Sequence, residues 1–268
     1  PAGEFFMGSK DKSLAVFGQE TPQQEISLGR FFISRYPITN AQYAAFVRDG
    51  GYTEKWRDCW TQAGWREKRD RTEPDKVGGV YDLPNHPAVL ISWYEALAFC
   101  RWLSQKLGVE VALPTEAQWE KAARGVDART YPWVGEITSD HANYLHTGIG
   151  TTSAVGVFPK GSSPYGALDM SGNVWEWCST KWCEKYDIAA DDDLADTDRR
   201  VLRGGSCDRG AGGVRCAYRN WCDPYYRLDD LGFRVVCVSP PIMPLDSGNS
   251  GLWHSESGLG PEYSTSGR

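Results

Sequence analysis

The sequence predicts an α+β domain low in regular secondary structure, with short antiparallel strands and a few packing helices. Three observations carry this. Thr39, Ser92 and Thr115 are followed three residues on by Gln42, Glu95 and Gln118, the spacing at which side chain and backbone cap a helix reciprocally. Beyond Gly125 the chain turns to Gly, Pro, Asn and aromatic residues, broken only by short strand-like runs such as VLRGG and LGFRVVCV. Twelve tryptophans supply broad apolar area that can hold loops together where hydrogen-bonded ladders are short.

The elements follow in order. A first helix starts after Thr39. A second starts after Ser92 and carries Trp93, Ala96, Leu97, Cys100, Leu103 and Leu107 on one face before Gly108 stops it. A third, TEAQWEKAARG, places Trp119, Ala122 and Ala123 on one side and ends at Gly125. All three read as packing helices.

Composition excludes several function classes. A net charge of -6 and a pI near 5.3 argue against a nucleic-acid or anionic-membrane binder, which needs a concentrated basic surface. No apolar run approaches the roughly 20 residues that span a bilayer, so direct membrane insertion is not expected. Eight cysteines show no paired CxxC knuckles of the zinc kind. The opening PAGEFFMGS stretch has neither a basic n-region nor an apolar h-region, so no targeting signal is expected there, and nothing assigns a compartment. From Pro240 a Ser/Gly/Pro-rich tail begins, which divides the chain into a domain over 1–239 and a tail over 240–268.

Seven stretches occur in order: GEFFMGS, ISRYPITNAQYAAFV, HPAVLISWYEALAFCRWL, LPTEAQWEKAARG, YPWVG, YGALDMSGNVWEWC and VLRGGS…RCAYR…LGFRVV. Together they resemble the formylglycine-generating-enzyme-type, sulfatase-modifying-factor domain, a variant of the C-type-lectin fold, over roughly residues 1 to 238. The family's enzymes carry a C-x4-C pair between GGS and R-x-A-x-R that binds copper and activates oxygen. Here that stretch is shorter and reads CDRGAGGV, so the pair is missing, no copper is expected, and no catalytic residue is assigned. The expectation is a chain that is not an enzyme. A second branch of the family holds iron through an HxxxHxE motif, a spacing that none of the four histidines has. His86 reads as a hydrogen-bonded residue at a strand entry, and Cys100 and Cys178 as small buried hydrophobes.

The segment Cys207 to Leu231 contains no Lys, Glu, Gln or Met, and every residue in it except Trp221 can be encoded by a codon of the form NNC. Randomising the adenines of an AAC codon produces that set. The segment therefore resembles the variable region, here about 203–236, of a diversity-generating-retroelement variable protein. Gly204, Gly205, Ala217, Arg219, Gly232 and Phe233 would form the fixed frame. The expected ligand contacts are Asp208, Arg209, Gly210, Ala211, Gly212, Gly213, Cys216, Tyr218, Asn220, Trp221, Cys222, Asp223, Tyr225, Tyr226, Leu228, Asp229 and Asp230. Stiff aromatic rings would give contact area, and Arg209 with the aspartates would set charge complementarity. The expected function is a non-catalytic binding protein with a hypervariable surface, and the expected partner is a protein or other macromolecule. Two alternatives stand beside it: a copper-dependent oxidase with relocated thiols, and a fixed accessory or signalling module.

The resemblance also implies a structural calcium ion (Ca2+) held by the Asp169 side chain, the Gly172 and Val174 carbonyls and the Glu176 carboxylate, a hard-oxygen set. A second family site would use Asn143 and Tyr144, but Thr147 and Ile149 stand where an acidic partner is needed. The run Asp187 to Asp198 reads as a solvated loop.

Overall fold

The computed structural model describes residues 1–10, 19–184, 193–194 and 197–238. In chain order the regular elements are strands β1 (Gly3–Met7), β2 (Gln24–Leu28) and β3 (Phe32–Ile33), helices α1 (Asn40–Arg48), α2 (Gln62–Glu67) and α3 (Trp93–Leu107), strand β4 (Val111–Ala112), helix α4 (Glu116–Arg124), and strands β5 (Trp175–Lys181), β6 (Arg200–Arg203), β7 (Arg219–Cys222), β8 (Leu231–Gly232) and β9 (Val236–Cys237). The rest of the described residues form short 3₁₀ helices, turns and irregular chain. The expected α+β class, poor in regular structure, is the fold. The proposed tail from 240 and most of the Asp187–Asp198 run lie outside the described residues.

All three capping boxes form. The Thr39, Ser92 and Thr115 hydroxyls accept from the backbone amides of Gln42, Glu95 and Gln118, whose side chains reach back. Helix α3 ends at Gly108 in the left-handed region, φ 67°. The one-face reading of α3 is too narrow: Tyr94, Glu95, Ala98, Phe99 and Trp102 are buried as well, whereas Leu103 and Leu107 are only partly buried. Its first half runs through the core. Helix α2 carries no capping-box signal, because Gly64 stands where Glu or Gln would reach back to Thr61.

Three small sheets complete the framework. Strands β1 and β2 pair antiparallel. Strand β9 lies between β3 and β4. The four-stranded sheet runs β7-β6-β5-β8, and β8 joins β5 in parallel, Trp175 opposite Leu231 and Glu176 opposite Gly232, which departs from the all-antiparallel expectation. The main core joins α1, α3 and this sheet through Phe46, Trp93, Phe99, Trp175, Trp177 and Phe233. A second cluster gathers Trp119, Met170, Cys178, Val201 and Cys216. Among the described residues no helix is long and apolar enough to cross a membrane.

Candidate functional site

The segment between β6 and β9 is fastened from beneath by arginines. Arg203 at the end of β6 is fully buried. It donates to Glu116 Oε1 at 3.0 Å and to Glu120 Oε2 on α4, and also to the carbonyls of Cys216 and Ala217. Arg219 on β7 grips the Glu116 carboxylate with two bonds of 2.7 and 2.8 Å. Arg215 does the same to Glu20 at 2.8 and 2.7 Å. Arg234, beyond β8, donates to both oxygens of Glu176 at 2.6 and 2.7 Å. Planar two-bond guanidinium–carboxylate pairs fix orientation as well as distance, and a buried charge left without its partner is costly. The expectation that α4 is only a packing helix misses this: Glu116 and Glu120 make its polar side the anchor of the segment.

Two glycines let the chain turn between the anchors. Gly204 and Gly205 have φ of 93° and 71°, and a Cβ on Gly205 would stand 2.3 Å from the Gly213 carbonyl oxygen. With Ala217, Arg219, Gly232 and Phe233 they lie buried, as the frame reading requires.

Between the anchors the side chains turn outward. Asp208, Arg209, Gly212, Tyr225, Tyr226, Leu228 and Asp229 are exposed. Gly210, Ala211, Gly213, Tyr218, Asn220, Trp221, Cys222, Asp223 and Asp230 are half-buried. Cys216 is a correction: it is fully buried in the second core cluster and cannot meet a ligand. Tyr218 packs beside Trp175, ring centres 5.9 Å apart, so it is in part a core residue. Tyr225 and Tyr226 stack at 4.9 Å, and the Arg199 guanidinium lies 3.7 Å above the Trp221 ring.

Residues 223–230 are held by a further set that the sequence reading did not single out. Arg227 donates to Glu95 Oε2 at 2.8 Å and to Glu67 Oε1 at 3.1 Å. Glu95 is itself fully buried and accepts from Tyr52 at 2.7 Å. The carbonyls of Pro224, Leu228 and Asp230 accept from the amides of Trp93, Leu90 and Trp175. Arg227 fits the codon pattern of its exposed neighbours, so composition alone could not tell it from them. A Glu at the third position of a capping box is spoken for locally, which hid its second role.

The acidic centre of the face is Asp208, Asp229 and Asp230. Ser206 Oγ lies 2.5 Å from Asp208 Oδ1 and 2.8 Å from Asp230 Oδ2. Burial, then its two neighbouring carboxylates, raise the Asp230 pKa. Arg209 pairs with Asp208 at 3.2 Å, both side chains well exposed. A separate cavity of about 460 Å³ opens between α1 and residues 73–91, and none of its lining residues belongs to the candidate set.

Burial pushes Cys216 up to about 12 and Cys207 and Cys222 to about 11, with Asp208 and Asp230 adding to the shift at Cys207. Burial thus disfavours the thiolate form at all three. Cys178, like Cys100, is a fully buried small hydrophobe. Among the described residues no three His, Cys, Asp or Glu side chains gather as a metal centre. His86 Nδ1 lies 3.1 Å from Thr152 Oγ1, and burial lowers its pKa.

The expected calcium ligands sit on one turn. Asp169 is buried at φ 57°, with Oδ2 accepting from the Gly156 amide at 2.7 Å, and burial raises its pKa to about 6. The Glu176 carboxylate is shared with Arg234 and with the Trp119 indole, which donates at 2.6 Å. Asp169 and the Val174 carbonyl are therefore the less committed oxygens, since the Gly172 carbonyl accepts from the Val174 amide at 2.9 Å. A buried carboxylate with a raised proton affinity is one that a hard cation would relieve, and an all-oxygen set fits calcium. At the second position the Asn143 amide nitrogen donates to the Thr151 carbonyl and Asn173 Oδ1, while Asn143 Oδ1 is buried without a partner. Tyr144 caps the turn to Thr147.

The chain is 31% identical to the formylglycine-generating enzyme of Thermomonospora curvata over 84% of each chain. It is 33% identical to the hercynine oxygenase of Mycobacterium tuberculosis over 81% of its own length and 55% of that protein's, so it spans about half of that relative. Its fold matches Treponema denticola variable protein 1 with a TM-score of 0.63, covering 89% of this chain and 95% of the other, at 24% identity. These likenesses correct one expectation. The chain was expected not to be an enzyme, yet relatives at about 30% identity are named as enzymes, so it stands within an enzyme family. The cysteine pair that the resemblance led us to expect between GGS and R-x-A-x-R is absent from that stretch, and its absence does not remove the chain from that family. The sulfatase-modifying factor enzyme 1-like domain matches residues 1–238, and the chain belongs to that family.

Proposed function

We propose that the face between Cys207 and Leu231 is a ligand-binding surface whose exposed side chains are exchangeable on a fixed frame. One observation carries the reading. The buried arginines of the segment are paired with glutamates outside it, while the outward residues are those that NNC codons supply. A rigid scaffold carrying adaptable loop residues is how binding repertoires are built. The ligand is a protein or other macromolecule, because the face is open and presents stacked tyrosines and charges where a small substrate would call for an enclosing pocket. Sequencing the coding region for Arg203 to Val236 across a native population tests this. Substitutions confined to adenine positions of a neighbouring near-copy support it, and a uniform segment without such a copy overturns it.

A second reading, oxidation chemistry of the kind its relatives' names describe, is favoured by the identity to formylglycine-generating enzyme. Copper titration with an oxygen-uptake assay tests it. A calcium ion at the Asp169 turn is proposed as a structural element under either reading.

A further inference from the structure

The cavity beside α1 has a volume of about 460 Å³, within the range of small-molecule sites, and none of its lining residues lies between 203 and 236. Helix α1 turns Tyr43 and Phe46 into the core, while Ala41, Ala44, Val47 and Arg48, spaced to share one side of the helix, form a wall of the cavity. The two alanines leave the space that longer side chains would fill. The opposite wall is tied to the first turn of the helix. The Asn40 side-chain amide donates to the carbonyls of Tyr81 and Leu83 at 2.6 and 2.9 Å. The backbone amides of Asn40 and Ala41 donate to the carbonyls of His86 and Pro84 at 3.0 and 2.9 Å. Hydrogen bonds at their junction thus fix the two walls relative to each other.

The lining joins an apolar surface to one uncommitted charge. Ala88, Val89 and Ile91 are buried there, and Val77 adds a further apolar side chain, 40% exposed. The lining acids are already engaged: Asp75 pairs with Arg71 and Glu73 with Lys76, both at 3.3 Å, and Asp82 Oδ1 accepts from the Gly78 amide at 3.3 Å. Arg48, exposed in the last turn of α1, has no carboxylate partner among the described residues. A guanidinium takes a carboxylate through two parallel bonds, and an apolar body gains by leaving water for an apolar surface.

We propose that this cavity binds a small monocarboxylate with an apolar body, its carboxylate on Arg48 and its body against Ala44, Val47 and Val89. The inference does not rest on the ligand-binding reading of the face, since every lining residue lies outside the exchangeable segment. The site is the same whichever side chains that segment carries.

The test uses the full chain, isotope-labelled for NMR, titrated with 4-phenylbutanoate and with 4-phenylbutylammonium. The expected result is amide shifts at 40–48 and 73–91 with the acid, which binds about tenfold tighter than the amine. Arg48→Gln, at an exposed position, should keep the spectrum of the folded protein and reduce the acid to the affinity of the amine. Equal affinity of the wild type for the two probes, shifts confined to other surfaces, no shifts, or an acid preference that survives in Arg48→Gln overturns the proposal. None of these outcomes bears on the sequencing test of the exchangeable face.

Discussion

Arg227 Nε donates to Glu95 Oε2 at 2.8 Å, joining the most exposed loop of the candidate face to the first turn of the central helix. Both groups are buried, and Tyr52 and Ser92 complete the bonding of the carboxylate. Replacing Arg227 by Ala leaves the Glu95 charge uncompensated and is expected to cost about 3 kcal/mol of stability. Urea unfolding measures it, and a loss below 1 kcal/mol would show that the loop is held mainly by its backbone bonds.

The Arg215–Glu20 pair offers a cleaner cycle, since the guanidinium takes both carboxylate oxygens. Arg215→Met alone should destabilise by about 3 kcal/mol, and the double variant Arg215→Met/Glu20→Leu should recover a large part of that, because removing both charges removes the desolvation cost of each. Single and double variants of equal stability would contradict the assignment.

Tyr225 and Tyr226 should behave in the opposite manner. Both are about half exposed and stack chiefly on each other. The double change to Ser should alter unfolding free energy by less than about 0.5 kcal/mol, as surface changes do. Loss of cooperative unfolding in that variant would mean that the rings belong to the fold.

The Cys216 thiol gives a pH signature. Burial raises it from 9.0 to about 12, so the folded protein holds that proton more tightly than the unfolded chain. Its contribution is fully present below pH 9 and is lost as pH rises through about 12. Cys216→Ala should remove that part of the alkaline decline in melting temperature, and parallel curves for the two proteins would refute the shift.

The Asp169 turn makes a metal prediction. Chelation with EDTA should lower the melting temperature, added calcium should restore it, and Asp169→Ala should be insensitive to both. A wild-type curve unmoved by EDTA would mean that the Glu176–Arg234 pair holds the turn without an ion.

Much of the fold could be read from local signals. Thr39, Ser92 and Thr115 announce helices because capping is decided within four residues. The glycines at 204 and 205 mark a turn that no side chain tolerates. What stayed hidden depends on partners far apart in the chain. Arg215 and Glu20 are 195 residues apart, and nothing near either one foretells the other. The burial of Cys216 was likewise invisible beside exposed neighbours of the same codon class, because it follows from the side of the chain that faces Trp119. Parallel pairing of β8 with β5 is equally non-local.

The anchors described above have a direction that the genetic code makes meaningful. In each pair the arginine lies between Arg203 and Arg234, and the glutamate lies at Glu20, Glu67, Glu95, Glu116, Glu120 or Glu176. Arginine can be written with CGT, CGC or CGG, which contain no adenine, whereas both glutamate codons contain one. Tryptophan, the one residue at 207–231 outside the NNC set, is encoded by TGG and is equally free of adenine. A copying process that errs only at adenine would leave such an arginine, and Trp221, intact wherever the neighbouring near-copy carries an adenine-free codon, and would rewrite the positions where it carries adenine. Had the pairs been reversed, no choice of codon could have kept a glutamate within the segment out of reach of such copying.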